Sequence, residues 1–285
     1  MQEIKLVAID LDDTLLRDDL TISQFSKGIL QEVREAGVTV TLATGRMLPS
    51  ARPYAEQLEF DVPLITYQGA LVKNVFSGEV LYNCPLSQEI SRIAIQYGRS
   101  KKIQANFYFE DKVFVERVTE AGEHYEHLAG IPFTRVDDLE ELLEQGLPYK
   151  MLLIDDEQVI DQELEELGGV LNGKGFAAHL TKSKPTYLEV NHPLATKGVA
   201  LSKLAERLNI SREQVMAFGD SFNDLEMLEY AGYGFAVANA HPDVRSQVHY
   251  ITASNNEDGV ALALREMVIL GKGYPEATLT TNIIS

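Results

Sequence analysis

Asp10-Leu11-Asp12-Asp13-Thr14 closes the apolar run Ile4 to Asp10. Such a run reads as a buried parallel strand that delivers carboxylates at its C-terminal end. In extended backbone alternate side chains share a face, so Asp10 and Asp12 are expected to point into one mouth while Leu11 turns away. Two carboxylates so close push each other's ionisation apart: one stays charged, as nucleophile or metal ligand, and the other can carry a proton. Taken alone, an acidic strand end is more often a solvated loop or a helix cap.

Three further stretches keep it company. Ala43-Thr44-Gly45-Arg46 follows the strand-like run Val38 to Ala43 and gathers a hydroxyl, a residue allowing close backbone approach and a guanidinium, a set that suits a phosphoryl group. A glycine turn with Thr44 capping the next helix would account for it as well. Thr196-Lys197-Gly198 opens a helical pattern, where a cation opposes the helix macrodipole unless an anion is bound; the bland alternative is a solvated lysine. Phe218-Gly219-Asp220-Ser221-Phe222-Asn223-Asp224 sits between a strand and a helix and offers two carboxylates and an amide. These hard oxygens suit Mg²⁺ better than zinc, although Asp220 to Asp224 capping the following helix is the competing account.

The elements around these stretches alternate. Strand Ile4 to Asp10, helix Ser23 to Ala36 closed by Gly37, strand Val38 to Ala43, helix Ser50 to Leu58 and strand Pro63 to Tyr67 follow one another as in an open parallel sheet. Ligands of such sheets bind at the carboxyl ends of the strands. Between about Pro85 and Thr186 helical patterns mix with alternating strands, among them Gln104 to Phe109 and Lys112 to Val115, and from Ala195 the alternation resumes with strands Val215 to Phe218 and Tyr233 to Val237. The fold class expected is therefore α/β: a Rossmann-like parallel-sheet core of residues 1–84 and 187–285, discontinuous, with an inserted α+β domain at 85–186. The tail after Gly271 has little periodicity and is expected to be poorly ordered.

The chain has 285 residues, enough for one or two domains with a full core, and an ordinary composition of 45% hydrophobic and 24% charged residues. A net charge of -18 opposes attraction to nucleic acid or anionic lipid, so neither is an expected partner. A small anionic substrate remains compatible, because a bound cation can invert the field inside one cleft. Cys84 is the single cysteine, which excludes an intramolecular disulfide and a cysteine-rich zinc site, fits a reducing cytoplasm, and reads as a small buried hydrophobe. No signal-peptide pattern follows Met1, and no apolar run approaches the length of about 18 that spans a membrane.

Four motifs in this order and placement resemble the haloacid dehalogenase (HAD) superfamily, and within it the Cof-type phosphatases with a large inserted cap. The stretches that carry the resemblance are AIDLDDTLL, LATGR, ITYQGALV, EV followed by ATKG, FGDSFNDLEMLEYAG, FAVANA and TASNNEDGVA, spread over most of the chain. The resemblance implies hydrolysis of small phosphorylated metabolites, such as sugar phosphates, through an aspartyl-phosphate. In it Asp10 attacks phosphorus, and Asp12 protonates the leaving alcohol and then activates water. It further implies Mg²⁺ held by the carboxylates of Asp10 and Asp220 and the main-chain carbonyl of Asp12, with Asp224 a ligand or an orienting residue. Thr44, Lys197 and Asn223, with backbone N–H groups near Leu11 and Gly45, would bind phosphoryl oxygens; Arg46 would reach substrate or cap, and Thr14 would brace the loop around Asp12. The insert would close as a lid and set specificity, with Gly122 to Gly130 and Lys182 to Pro185 as its loops toward the site. Gln68 stands where the family usually has Asn, and Asp13 where many members have Gly.

Other readings stay open. A phosphotransferase or mutase would keep the nucleophile and deliver the phosphoryl group to a sugar hydroxyl, and a non-enzymatic regulatory protein on the same fold would be expected to lack Asp10 or Asp12. A two-component receiver combines similar residues but has no room for the insert. His124 and His127, three apart on a helical pattern, read as a solvated face rather than a metal site, and Phe107-Tyr108-Phe109 as a core strand. Oligomeric state has no signature in the sequence.

Overall fold

The computed structural model describes residues 3–59 and 61–276. The chain divides into two compact units, one formed by Met1–Asn83 with Thr196–Ser285 and the other by Cys84–Ala195.

The first unit begins with β1 (Leu6–Asp10), whose five residues are all buried, as expected of a strand covered on both faces. A wide helical turn at Leu11–Leu15 follows, in which Asp12 is extended and Asp13 is left-handed at φ 58°. Helix α1 (Gln24–Glu35) is capped by Ser23, whose side chain accepts from the Ser26 amide, and Gly37 beyond it takes φ 86°. Strand β2 (Thr39–Ala43), helix α2 (Leu48–Glu56), and strands β3 (Pro63–Thr66), β4 (Leu71–Asn74) and β5 (Val80–Asn83) complete the first segment.

The second unit contains α3 (Gln88–Lys101), β6 (Gln104–Phe109), β7 (Lys112–Val115), α4 (Glu120–Ala129), β8 (Phe133–Arg135), α5 (Leu139–Leu142), β9 (Lys150–Ile154), α6 (Glu157–Gly173), β10 (His179–Lys184) and β11 (Tyr187–Asn191). Its sheet runs β10-β11-β9-β6-β7-β8 and is antiparallel except at β7 and β8. Phe107, Met151, Leu153, Leu188 and Val190 pack with Ile90, Ile160 and Leu167 of the helices into one apolar core. The alternate residues Asn106, Lys150, Glu189 and Asn191 are buried too, and Lys150 Nζ donates to Glu189 at 3.0 Å.

The chain returns to the first unit through α7 (Lys197–Leu208), β12 (Val215–Gly219), α8 (Leu225–Tyr230), β13 (Tyr233–Ala236), α9 (Pro242–Arg245), β14 (Tyr250–Ile251) and α10 (Gly259–Leu264). The eight strands order as β14-β13-β12-β1-β2-β3-β4-β5, parallel from β14 to β3 and antiparallel at β4 and β5. Strand order reverses at β1, with β2 on one side and β12 on the other, and a crevice opens at such a switch point beyond the strands' carboxyl ends.

Several expectations are corrected. Tyr187–Asn191, assigned by sequence to the parallel-sheet core, is β11 of the second sheet, paired with β9 and β10, so the second unit runs on to Ala195. Gly122 to Gly130 is not a loop: it lies in α4 up to its C-cap, Gly130 at φ 63°, and of Lys182 to Pro185 the first three residues end β10 and only Pro185 lies in the turn to β11. His124 and His127 are exposed on α4, and Phe107 and Tyr108 are buried in β6. Cys84 is half-buried rather than buried, with Sγ 3.1 Å from Nδ1 of His192; that nitrogen also accepts the Leu194 amide, so the thiol is the donor. Beyond Gly271, Tyr274 is tied down by its hydroxyl on Thr252 at 3.0 Å and its ring on Phe235; the tail past Glu276 lies outside the described residues. Among the described residues no helix is long and apolar enough to cross a membrane.

Gly69, in the turn after β3, has φ 111°, and a Cβ there would lie 2.2 Å from the carbonyl oxygen of Thr196. Gly69→Ala is expected to destabilise the protein by about 2–4 kcal/mol, from the backbone strain plus the displacement of α7. An unchanged midpoint in thermal or urea unfolding would show that this approach is not tight.

Candidate active site

Asp10 is the last residue of β1 and Asp220 follows β12 directly, so the switch point sets two carboxylates side by side across neighbouring parallel strands. Asp224 folds back onto the same point. Its Cβ would clash with any side chain at Gly219, where a Cβ would sit 2.5 Å away, and its Oδ2 accepts the amides of Asp220 and Ser221 at 3.1 Å each. Lys197 enters from the first turn of α7, and its Nζ donates to Asp10 at 2.6 Å and to Asp224 at 2.7 Å. Lys197 is 1% exposed, Asp224 0% and Asp10 4%. Two buried carboxylates thus answer the objection that a cation opposes the dipole at a helix start.

Burial pushes Asp10 well above the ordinary carboxylate range, and the charges of Asp224 and Asp220 add to the push while Lys197 pulls it back. Burial and then Asp224 lift Asp220 to about 6, against the charge of Lys197 and the hydroxyl of Thr14. Lys197 loses charge stability to burial, but the charges of Asp10 and Asp224 outweigh that loss and it is held firmly protonated. The neighbours that split the ionisation of Asp10 are therefore Asp224 and Asp220, not Asp12 as strand alternation implied.

Asp12 departs from the expected geometry because β1 ends at Asp10 and the chain turns. Its carboxylate, 43% exposed, meets Arg46 in a fork: Nε donates to Oδ2 at 2.8 Å and Nη2 donates to Oδ1. Arg46 itself lies over the Tyr54 ring, 4.9 Å from its centroid. Arg46 was expected to reach outward to substrate or cap, and here it binds Asp12. Thr14, expected to brace the loop around Asp12, donates instead to Asp220 at 3.1 Å. Tyr54, on α2, carried no signal in the sequence.

Thr44 is buried at the end of β2, where its Oγ1 accepts the Arg46 amide at 3.1 Å and its carbonyl accepts the Gln68 amide at 3.2 Å. Gly45 next to it lies under the Gln68 side chain, and a Cβ at Gly45 would come within 2.4 Å of Nε2. Asn223 is exposed, and its Nδ2 donates to Oε1 of Gln68 at 3.1 Å. Leu11 is fully buried, so whatever it offers a ligand is its backbone.

One carboxylate oxygen from each of Asp10, Asp220 and Asp224 lies within 4.8 Å of the others. Three carboxylates against one lysine leave an excess of negative charge, and every donor is a hard oxygen; this set fits a divalent cation of the Mg²⁺ kind. Asp224 already spends both oxygens, on Lys197 and on two amides, which leaves Asp10 and Asp220 as the better-placed ligands.

Folded Asp220 binds a proton below about 6 whereas the unfolded residue does so only below 3.8, so in chelator its contribution to stability falls as pH rises across that interval. Measured against Asp220→Asn, the unsubstituted protein should lose about 2 kcal/mol between pH 4 and 6.5. Added Mg²⁺ should recover stability at pH 7.5 and much less at pH 5. A pH-independent difference in melting temperature would contradict this.

The profile of the haloacid dehalogenase-like hydrolases matches residues 7–264. The chain is 34% identical over 271 residues to YcsE of Bacillus subtilis, named a 5-amino-6-(5-phospho-D-ribitylamino)uracil phosphatase, covering 94% of this chain and 97% of that one. It is 31% identical over 274 residues to YitU of the same organism, which bears the same activity name, covering 92% and 96%. The crystal structure of TM0651 from Thermotoga maritima superimposes with a TM-score of 0.83 at 31% identity over 92% of this chain and 97% of that one. The match runs from β1 through α10 and takes in the whole carboxylate and lysine cluster: the chain belongs to the haloacid dehalogenase-like hydrolase family.

Proposed function

We propose that the chain is a Mg²⁺-dependent phosphatase that hydrolyses small phosphate monoesters through a phosphoryl group carried on Asp10. The observation that carries this reading is Lys197 Nζ at 2.6 Å from a buried Asp10 inside a cluster of three carboxylates. Burial alone would favour a neutral, unreactive acid; the ammonium favours the carboxylate, the form a nucleophile needs. The phosphatase names of YcsE and YitU support the reaction class.

In the first step an oxygen of Asp10 attacks phosphorus while the bond to the leaving oxygen breaks, and that oxygen takes a proton from Asp12. In the second, water attacks the same phosphorus and gives its proton to Asp12, which frees inorganic phosphate and restores Asp10. Lys197, Thr44 and Asn223, with backbone amides near Leu11 and Gly45, are the groups assigned to the phosphoryl oxygens. Arg46 donates to both oxygens of Asp12, so one arm of the fork must leave when that oxygen takes the proton, and Thr14 orients Asp220. Bound Mg²⁺, held by Asp10 and Asp220 with the Asp12 carbonyl, would offset repulsion between the anionic nucleophile and the anionic substrate.

The substrate class supported is a phosphorylated polyol or sugar; the ribityl phosphate in the relatives' names makes such a compound the first to try. The single cysteine fits a reducing compartment, and the cytoplasm is the proposed location.

Phosphate release from sugar phosphates, a ribitylaminouracil phosphate, nucleotides and an aryl phosphate should require Mg²⁺ and stop in chelator. Asp10→Asn should lower kcat by about 10³-fold or more. Release that survives Asp10→Asn would sink the nucleophile, and turnover that appears only with an added sugar acceptor would replace hydrolysis by phosphoryl transfer. Lys197→Met, which keeps the stem and removes the charge, should cost at least about 3 kcal/mol of stability as well as activity, because it leaves carboxylates buried without their cation; an unaltered urea midpoint at pH 7.5 would speak against that.

A further inference from the structure

The turn between β3 and β4 is held in an uncommon conformation. Tyr67 and Gln68 are both left-handed, at φ 53° and 59°, a region that side chains other than glycine rarely adopt in succession. The Tyr67 amide donates to the Arg46 carbonyl at 2.9 Å, the Gln68 amide donates to the Thr44 carbonyl at 3.2 Å, and Gly69 abuts the backbone of Thr196. The Gln68 side chain therefore starts from a fixed point. It ends with Oε1 accepting from Asn223 at 3.1 Å and Nε2 above Gly45, so one carboxamide spans from the loop after β2 to the loop after β12.

We infer that Gln68 is a positioning residue that holds the Asn223 carboxamide in place for a phosphoryl group. Asn223 is exposed and on a short loop, where an untethered side chain would lose rotamer freedom on binding a ligand. The hydrogen bond to Gln68 occupies one Nδ2 hydrogen and leaves the other for a phosphoryl oxygen. Gln68 acts through Asn223 and takes no part in bond making. The inference rests on the proposed phosphatase reading, in which Asn223 contacts phosphate.

The test is calorimetric binding of inorganic phosphate in Mg²⁺, together with steady-state kinetics on an aryl phosphate. The full-length unsubstituted protein is compared with Gln68→Ala, Gln68→Met, Asn223→Ala and the Gln68→Ala/Asn223→Ala double variant. Gln68→Met keeps the side-chain length over Gly45 and removes the carboxamide, its Oε1 acceptor and its Nε2 donor together; melting temperatures report folding. Gln68→Ala and Gln68→Met should each weaken phosphate about fivefold and raise KM similarly with kcat within about twofold. Gln68→Ala should have no further effect once Asn223→Ala is present. Unchanged phosphate affinity in Gln68→Met, or an equal loss in both backgrounds, overturns the tether while leaving the phosphatase reading intact. An unsubstituted protein that neither binds phosphate nor turns over the aryl phosphate overturns both.

Discussion

A lysine ammonium closed off from water between two carboxylates is the constraint around which the first unit is arranged. Lys197 joins Asp10 across 187 residues of sequence and Asp224 across 27. Removing an ammonium from water is costly, and the interior tolerates it only where opposite charge is already in place with good geometry. The ends of β1 and β12 and the start of α7 are thereby fixed at one point. The two aspartates differ in what else they do. Asp224 uses its second oxygen to gather the backbone amides that begin the turn after β12, whereas Asp10 keeps an oxygen that no described group occupies by hydrogen bond.

Close backbone approach makes that arrangement possible. Gly219 gives Asp224 room to fold back, and Gly198 lets the first turn of α7 meet the backbone at Glu226, where a Cβ would come within 2.5 Å of its side chain. Parallel pairing puts Ile9 opposite Phe218 and Asp10 opposite Ala43, so the loops after three adjacent strands emerge at the same level. Polar contacts between those loops then add up: Thr14 to Asp220, Arg46 to Asp12, Gln68 to Asn223. Each is modest alone, yet together they hold a constellation whose members would repel or wander if solvated.

The second unit follows a different pattern. In β6, β9 and β11 one set of alternate residues joins an apolar core with α3, α5 and α6, and the other set, also buried, carries polar residues: Gln104 and Asn106 in β6, Lys150 in β9, Glu189 and Asn191 in β11. Lys150 and Glu189 pair across that polar face, and Tyr108 and Tyr125 share a hydrogen bond at 2.6 Å between β6 and α4. Strict apolar and polar alternation in QANFYF would ordinarily indicate one face in water; the polar residues here are covered instead.

Much of this was legible in residue order. Apolar runs ending in Asp10, Ala43 and Phe218 marked parallel strands, Ser23 and Thr196 marked helix starts, and the acidic and glycine-bearing tips marked the carboxyl ends where a ligand site belongs. Those signals are local, arising from periodicity, capping and backbone freedom within a few residues. What the tertiary structure decided was pairing. Arg46 turned to Asp12, Thr14 crossed 206 residues to Asp220, and Tyr187–Asn191 joined the second sheet although its composition suits either. Which carboxylate shifts another's ionisation likewise depends on sheet order and burial, because charge coupling falls with distance in space and is indifferent to distance along the chain.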